Sequence, residues 1–221
     1  MNTRFVHHVQ VERPAATEDA AGARERLRAK FPRPALRRMT HVGMLVGSAL
    51  EGVTITGDDA LVYASTFAET RALEDYLRTF PTPSPLLFQT SIQPSAVQQV
   101  LIARQQPIAR LWPVTGRSRL VEEALTVVLL ETAARVILVG GEERGTWMLE
   151  HGMASERAFA FALVLTREPA GAIGRIESAP LERSSPDGEA APLLEVFADT
   201  LAARRPLQWR GAGSEWTLDW S

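Results

Sequence analysis

The segment with the clearest potential for chemistry is a tight turn between an apolar run and a helical pattern. The run PIARLW (107–112) leads into PVTGRS (113–118), and apolar residues then recur at helical spacing from Leu120. Many α/β enzymes present a nucleophile on such a strand–turn–helix arrangement. Because the chain has no cysteine, the hydroxyls of Thr115 and Ser118 are the candidate nucleophiles at this turn.

Either hydroxyl would need a neighbouring base, because the pKa of an alcohol lies far above neutrality. The chain has four histidines, His7, His8, His41 and His151. Adjacent residues of a strand point to opposite faces, so His7 and His8 do not form a metal pair. We predict neither a metal nor a cofactor. A simpler interpretation of Thr115 and Ser118 is that they cap or turn the chain into the following helix.

The composition limits the function class. The 221 residues include 24 basic and 26 acidic ones, a net charge of −2, which suits one globular domain with a small appendage. This balance lacks the basic footprint of a nucleic-acid-binding protein. The absence of cysteine excludes disulfides and a catalytic thiol. No apolar run is long enough for a membrane span and the amino terminus lacks an apolar signal region, so we expect a cytoplasmic protein.

Apolar runs alternate with helical patterns up to Gly140, and two adjacent strands follow at 158–166 and 173–178. The patterns predict helices at 95–104 and 117–133, and the β-branched run 135–139 predicts a central strand. Alternation of this kind predicts an α/β domain, and the adjacent strands add antiparallel pairs at one edge of a mixed sheet. We place this domain at residues 1–180. Residues 181–221 form a C-terminal extension, for which the pattern predicts one helix and a short hairpin.

Six segments occur in the order and spacing of a known family. They are RRMTHVGMLVGSAL (37–50), ALVYASTFAET (60–70), SPLLFQTSIQPSAVQQVLI (84–102), PIARLWPVTGRSRLVEEAL (107–125), ARVILVGGEE (134–143) and ERAFAFALVLT (156–166). The chain resembles the N-terminal half of β-ketoacyl-acyl-carrier-protein synthases, above all the truncated chain-length factors of aryl-polyene and polyketide clusters. This resemblance implies a thiolase-like half-fold, with a mixed sheet of about five strands, helices on both faces and a small C-terminal extension.

The resemblance also bears on the turn. Counting back from Gly140 to the position of the family's catalytic cysteine gives Thr115, so Val114-Thr115-Gly116-Arg117-Ser118 replaces the cysteine-containing motif. The family's two catalytic histidines belong to its C-terminal half, which we do not find in this chain. The resemblance therefore implies a subunit without ketosynthase activity of its own.

Chain-length factors of this family pair with an active ketosynthase and work on acyl chains held by acyl carrier protein. The resemblance implies that residues 86–94 form a loop that reaches the partner's acyl tunnel. Large side chains at a tunnel end limit chain length by filling volume. The candidates in this segment are Leu87, Phe88, Ile92 and Gln93.

Two alternatives remain open at this point. The chain could be a degenerate acyltransferase or thioesterase that uses Thr115 or Ser118. It could also be a homodimeric scaffold that binds acyl carrier protein without a ketosynthase. The tryptophans Trp209, Trp216 and Trp220 fit either the core of a C-terminal hairpin or a partner-binding surface.

Overall fold

The computed structural model describes residues 2–15, 17–181 and 191–221. The strands are β1 (Asn2–Glu12), β2 (Ala60–Ser65), β3 (Arg110–Thr115), β4 (Arg135–Glu142), β5 (Phe159–Thr166), β6 (Gly174–Pro180), β7 (Leu207–Arg210) and β8 (Ser214–Trp220). They form one mixed sheet of eight strands in the order β3-β2-β4-β5-β1-β6-β8-β7. The predicted α/β class is confirmed, but the expected number of about five strands is too low, because β6, β8 and β7 continue the sheet beyond β1.

The helices are α1 (Ala20–Arg28), α2 (Arg33–Leu36), α3 (His41–Ala49), α4 (Thr70–Leu77), α5 (Pro85–Thr90), α6 (Ser95–Arg104), α7 (Leu120–Leu130) and α8 (Leu194–Ala202). A short 3-10 helix covers Trp147–His151. Among the described residues, no helix is long and apolar enough to cross a membrane.

Parallel pairing holds the part of the sheet that carries the turn. β2 pairs in parallel with both β3 and β4, so the carboxyl ends of all three strands meet at one edge of the sheet. Ser65 and Thr115 are register partners there. β5, β1, β6, β8 and β7 continue the sheet with antiparallel pairs.

Side chains that alternate along the strands form a separate core on each face of the sheet. In the first core, Leu61 and Tyr63 of β2 pack with α3 and α6 on one face of the sheet. In the second core, Val62 and Ala64 pack with α7 and α8 on the other face. A Cβ on Gly47 of α3 would lie 2.6 Å from Cε1 of Phe31, so this glycine allows the chain after α1 to close on the first core.

The C-terminal extension belongs to the second core. Phe197 of α8 packs edge-on against Phe161 of β5, with ring centroids 5.5 Å apart. Trp209 and Trp216 of the β7–β8 hairpin are buried and stack at 5.6 Å. Trp220 is half-buried, and its Nε1 donates to the carbonyl of Arg205. The core interpretation therefore holds for Trp209 and Trp216, which do not form an exposed binding surface.

Candidate functional site

The turn that carries Thr115 and Ser118 lies at the carboxyl end of β3. Thr115 is the last residue of that strand, and α7 begins only at Leu120, after Arg119 at its N-cap. Neither Thr115 nor Ser118 is therefore the N-cap, but Ser118 lies in the turn before α7, as the alternative interpretation expected. The N-cap, Arg119, makes no side-chain hydrogen bond. Because the dipole of a helix acts within its first turn, α7 does little to activate the Thr115 hydroxyl.

The surroundings of Thr115 lack an organised base. In the part of the chain that the structure describes, the hydroxyls of Thr115 and Ser118 make no hydrogen bond, although both residues are exposed. The carboxylate of Glu123 lies near the turn, since its Oε2 would be 3.5 Å from a Cβ on Gly116. Val114 is half-buried and packs against the second core.

A residue that the sequence analysis did not single out fixes this turn to its neighbours. The guanidinium of Arg117 lies 5.1 Å from the ring centre of Phe67, a cation–π contact. It also donates to the carbonyl of Gly152, at the end of the 3-10 helix. Arg117 thus links the ends of β2 and β3 with the 3-10 helix that ends before Gly152.

Three buried carboxyl groups lie beside the turn, at the ends of β2 and β4. Oε1 of Glu142 accepts hydrogen bonds from the Ser65 hydroxyl and from two backbone amides. Oε1 of Glu69 accepts from the amide of Ala96. Burial raises the pKa of Glu142 and of Glu69 to about 7. The sequence signal that could have located part of this cluster is Gly-Gly-Glu-Glu at 140–143, which ends a β-branched run and contains Glu142 and Glu143.

The third carboxyl group belongs to Glu143. Its Oε2 accepts from the amide of Val42, in the first turn of α3, at 3.2 Å. The same oxygen lies 3.9 Å from Nδ1 of His41. Burial raises the pKa of Glu143 to about 8 and lowers that of His41, so both side chains are mainly uncharged near neutral pH.

The buried carboxyl groups form a structural cluster without a reactive geometry. The hydroxyl of Tyr63 and one oxygen each of Glu69 and Glu142 are buried without a hydrogen-bond partner. None of the three carboxyl groups hydrogen-bonds a hydroxyl at the turn that carries Thr115. Among the described residues, no group of three or more histidine and acidic side chains is placed to hold a metal ion.

Residues 86–94 are not the loop that the sequence analysis described. Ser84 caps a short helix, α5, because its hydroxyl accepts from the amide of Leu87 and Pro85 occupies the first turn. The helix leaves Phe88 48% exposed, and Ile92 beyond it is 49% exposed. Leu87 and Gln93 are half-buried, and Nε2 of Gln93 has no partner.

Two exposed aromatic side chains meet at this helix. The Tyr76 ring contacts the rings of Phe80 and Phe88, with centroids 5.5 Å and 5.4 Å away. The large apolar side chains that α4, α5 and their flanks leave in solvent are Leu77, Phe80, Leu86, Phe88 and Ile92, each between 38% and 55% exposed. We refer to these five side chains as the apolar patch.

No family model matches the chain, and no curated protein matches its sequence. Solved structures do match its fold. One is the ketosynthase ApeO in complex with its chain length factor ApeC from Xenorhabdus doucetiae, with a TM-score of 0.67 at 16% identity; 98% of this chain aligns with 99% of the matched chain. A second is the ishigamide ketosynthase/chain length factor, with a TM-score of 0.60 at 13% identity, over 80% of this chain and 67% of that one.

A third is a β-ketoacyl synthase from Burkholderia phymatum, with a TM-score of 0.56 at 14% identity. That match covers 81% of this chain and 65% of the synthase. The chain therefore has the thiolase-like fold of the ketosynthases and chain length factors.

Proposed function

We propose that this chain is a non-catalytic subunit, similar to a chain-length factor, that assists a partner β-ketoacyl-acyl-carrier-protein synthase. The acyl chain being elongated would be carried by acyl carrier protein and would belong to a polyene, polyketide or fatty acid. The turn supports the absence of catalysis by this chain, because Thr115 stands where the resemblance puts a cysteine and its hydroxyl hydrogen-bonds to no base among the residues that the structure describes.

The observation that carries the proposal is the apolar patch. Its five side chains are each more than a third exposed, which is costly in water and typical of a surface that another protein covers. Phe88 and Ile92 are the exposed members of the predicted tunnel segment, so they are the side chains best placed to enter a partner. Leu87 and Gln93, being half-buried, would support this segment from behind.

The free edge of the sheet offers a second surface for the same partner. β3 is the last strand on its side, and its outer edge pairs with no described residue. Trp112 of this strand is 44% exposed. An unpaired edge invites a strand from another chain, and a proline such as Pro113 is tolerated only at such an edge. The ketosynthase partner is thus expected to contact both β3 and the apolar patch.

Co-expression with a cysteine-containing ketosynthase from the same genome tests the pairing. We expect the two chains to co-purify, and we expect the double variant Phe88→Asp/Ile92→Asp to lose the partner, because two charges would be buried without partners. Gln89→Asp is the matched control, since Gln89 is an exposed polar residue of the same helix. Equal recovery of the ketosynthase with the double variant would contradict the proposed interface.

Product length tests the role of the predicted tunnel residues. If Phe88 fills the end of a partner's tunnel, Phe88→Ala should give the reconstituted pair longer products, since the side chain would no longer occupy that volume. The products would be compared by mass spectrometry. Unchanged lengths with Phe88→Ala and with Ile92→Ala would remove these residues from the gate.

The other two functions have distinct outcomes. If the chain were an acyltransferase or thioesterase, it would turn over an acyl-carrier-protein thioester by itself, and Thr115→Ala or Ser118→Ala would abolish that activity. If it were a homodimeric scaffold, the self-associated chain would bind acyl carrier protein in the absence of a ketosynthase, and the two would elute together in size-exclusion chromatography. We expect neither result.

A further inference from the structure

A cleft with a volume of about 1110 Å³ lies next to α3. It is bordered by α1, by residues 36–41, by α4 and by the chain that follows β4. It therefore opens at the carboxyl end of the parallel strands, where α/β sheets generally bind ligands. Neither Thr115 nor Ser118 belongs to its lining, so it is separate from the turn discussed above.

The cleft differs in charge from the rest of the protein. Seven arginines and four acidic residues line it, although the chain as a whole has a net charge of −2. Two of these arginines, Arg13 and Arg157, are held by Asp199, and Arg71 is held by Glu74. The cleft is thus a local concentration of positive charge.

Four of the arginines are available to a ligand. Arg24, Arg37, Arg38 and Arg144 form no ion pair or side-chain hydrogen bond with any other residue that the structure describes. They come from three separate elements, namely α1, the segment after α2 and the segment after β4. A single unpaired arginine on a surface is ordinary, but guanidinium groups that converge on one cleft repel each other unless an anion lies between them.

The acidic residues of the lining oppose an anion less than their number indicates. Glu18 is paired with Arg26 and Asp75 with Arg71 and Arg78, whereas Glu156 forms no ion pair with any described residue. Glu143 is the acidic residue closest to the start of α3, and its Oε2 accepts from the amide of Val42. Burial raises its pKa to about 8, so this carboxyl group is mainly protonated at pH 7. His41 adds no proton-dependent charge, because burial lowers its pKa.

We propose that this cleft binds a small ligand through an oxyanion, of which a phosphate ester or a diphosphate is the best match. Arginine presents a planar fork of donors that binds phosphate oxygens in pairs, and several converging arginines favour more than one negative charge. The arginines of the site belong neither to β3 nor to the apolar patch, although Leu86 of the patch also lines the cleft. Because these arginines are distinct from Phe88 and Ile92, loss of anion binding and loss of ketosynthase pairing can be tested with separate variants.

Isothermal titration of the full chain with pyrophosphate, inorganic phosphate and succinate tests the site at low ionic strength. We expect pyrophosphate to bind most tightly, and we expect Arg24→Gln and Arg144→Gln each to weaken it about ten-fold, since a hydrogen bond to a charged group is worth about 1.5–3 kcal/mol. Arg205→Gln is the control, because Arg205 is exposed and outside the cleft. Thermal unfolding of each variant verifies that it is folded.

Three results would overturn the proposal. The first is that none of the three anions binds at millimolar concentration. The second is that Arg24→Gln and Arg144→Gln bind pyrophosphate as tightly as the control does, which would indicate diffuse surface attraction. The third is that succinate binds more tightly than pyrophosphate, which would assign the cleft to a carboxylate ligand.

The role of Glu143 gives the site a pH signature. The groups that act on the charge of Glu143 are Arg24, Arg71 and Asp75, and Nδ1 of His41 lies 3.9 Å from its Oε2. Glu142 and Glu69 of the same cluster have a pKa of about 7, so they also gain charge between pH 7 and 9. Sulfate, whose charge is constant in this range, should bind more weakly at pH 9 as Glu143 ionises. Glu143→Gln should lose less sulfate affinity over this range than the unchanged protein, and an equal loss in the two proteins would remove Glu143 from the site.

Discussion

Glu142 shows how one buried residue makes stability depend on pH. Its carboxyl group is buried, and burial raises its pKa from an ordinary value of 4.5 to about 7. Below pH 4.5 the group is protonated in both the folded and the unfolded chain. Between pH 4.5 and 7 the folded chain holds a proton that the unfolded chain releases, so stability falls as pH rises through this window.

We therefore expect the free energy of unfolding to be larger at pH 5 than at pH 8.5. The contribution of Glu142 is on the order of 3 kcal/mol, and Glu69 and Glu143 act in the same direction because burial raises their pKa as well. Glu142→Gln should lose about 3 kcal/mol less stability over this range, since glutamine keeps an acceptor for Ser65 and cannot ionise, while Glu69 and Glu143 still titrate. Urea unfolding at the two pH values measures the difference.

Glu25→Gln is the matched control, because the side chain of Glu25 is 83% exposed. It should follow the pH dependence of the unchanged protein. If Glu142→Gln and Glu25→Gln have the same pH dependence, Glu142 is not the group that titrates.

Arg117 is the residue-scale test of the turn itself. Its contact with Phe67 and its hydrogen bond to Gly152 link three segments. We expect Arg117→Met to lower the free energy of unfolding by about 1–2 kcal/mol, the range for one cation–π contact and one charged hydrogen bond at a partly exposed site. Thr115→Ala, which removes a hydroxyl without a partner, should change it by less than about 0.5 kcal/mol. Equal effects of the two variants would show that Arg117 does not fix the turn.

At the scale of elements, the packing of α8 shows how firmly the C-terminal extension is attached to the rest of the domain. Phe197 is buried against Phe161, whereas Val196, its neighbour in α8, is 46% exposed. We expect Phe197→Ala to cost about 3–5 kcal/mol, the usual loss for a buried aromatic side chain. The transition should remain cooperative, because α8 shares its core with α7 and β5.

Val196→Ala is the control on the same helix and should have little effect, because little apolar area is removed from the core. Chemical unfolding followed by tryptophan fluorescence reports on the extension directly, since Trp209 and Trp216 lie in the hairpin after α8. If Phe197→Ala unfolded the hairpin in a separate early transition, the extension would be an independent unit.

At the scale of the whole molecule, two open surfaces predict how the isolated chain behaves. The edge of β3 and the apolar patch are both uncovered among the described residues. We expect the purified chain to self-associate at micromolar concentration, and we expect Phe80→Ser/Phe88→Ser to shift it towards monomer. Sedimentation velocity over a range of concentrations measures the shift.

Thr82→Ser is the control, because Thr82 is exposed, polar and close to Phe80 in the chain. A chain that stays monomeric at all concentrations would show that the apolar patch does not drive association. Addition of a ketosynthase should displace the self-associated form if both partners use the same surface.

The sequence determined the class of the fold because hydrophobic periodicity is a local property. The β-branched run 135–139 predicted a central strand, and it forms the buried core of β4. The helix predicted at 95–104 has the same limits in α6. Such patterns record which face of an element is buried, and a single sequence contains them in full.

Ends of elements were less predictable. The helix expected at 117–133 is only α7, Leu120–Leu130, and the expected loop at 86–94 contains α5. In both cases a few residues, such as a capping side chain or a proline, decide where the helix begins or ends. The alternative local hydrogen bonds at these positions differ by little free energy, so the sequence does not fix the boundary. The sequence also determined that this chain has no thiol at the turn, since it contains no cysteine.

Only the tertiary structure decided which residues meet. Glu69, Glu142 and Glu143 come from two distant segments, and burial raises the pKa of each because the ends of β2 and β4 close over them. The arginines around the large cleft are scattered from Arg13 to Arg157 and have no common motif. Burial and electrostatic potential depend on distances in space, so these two features follow from the packing of the sheet and its helices.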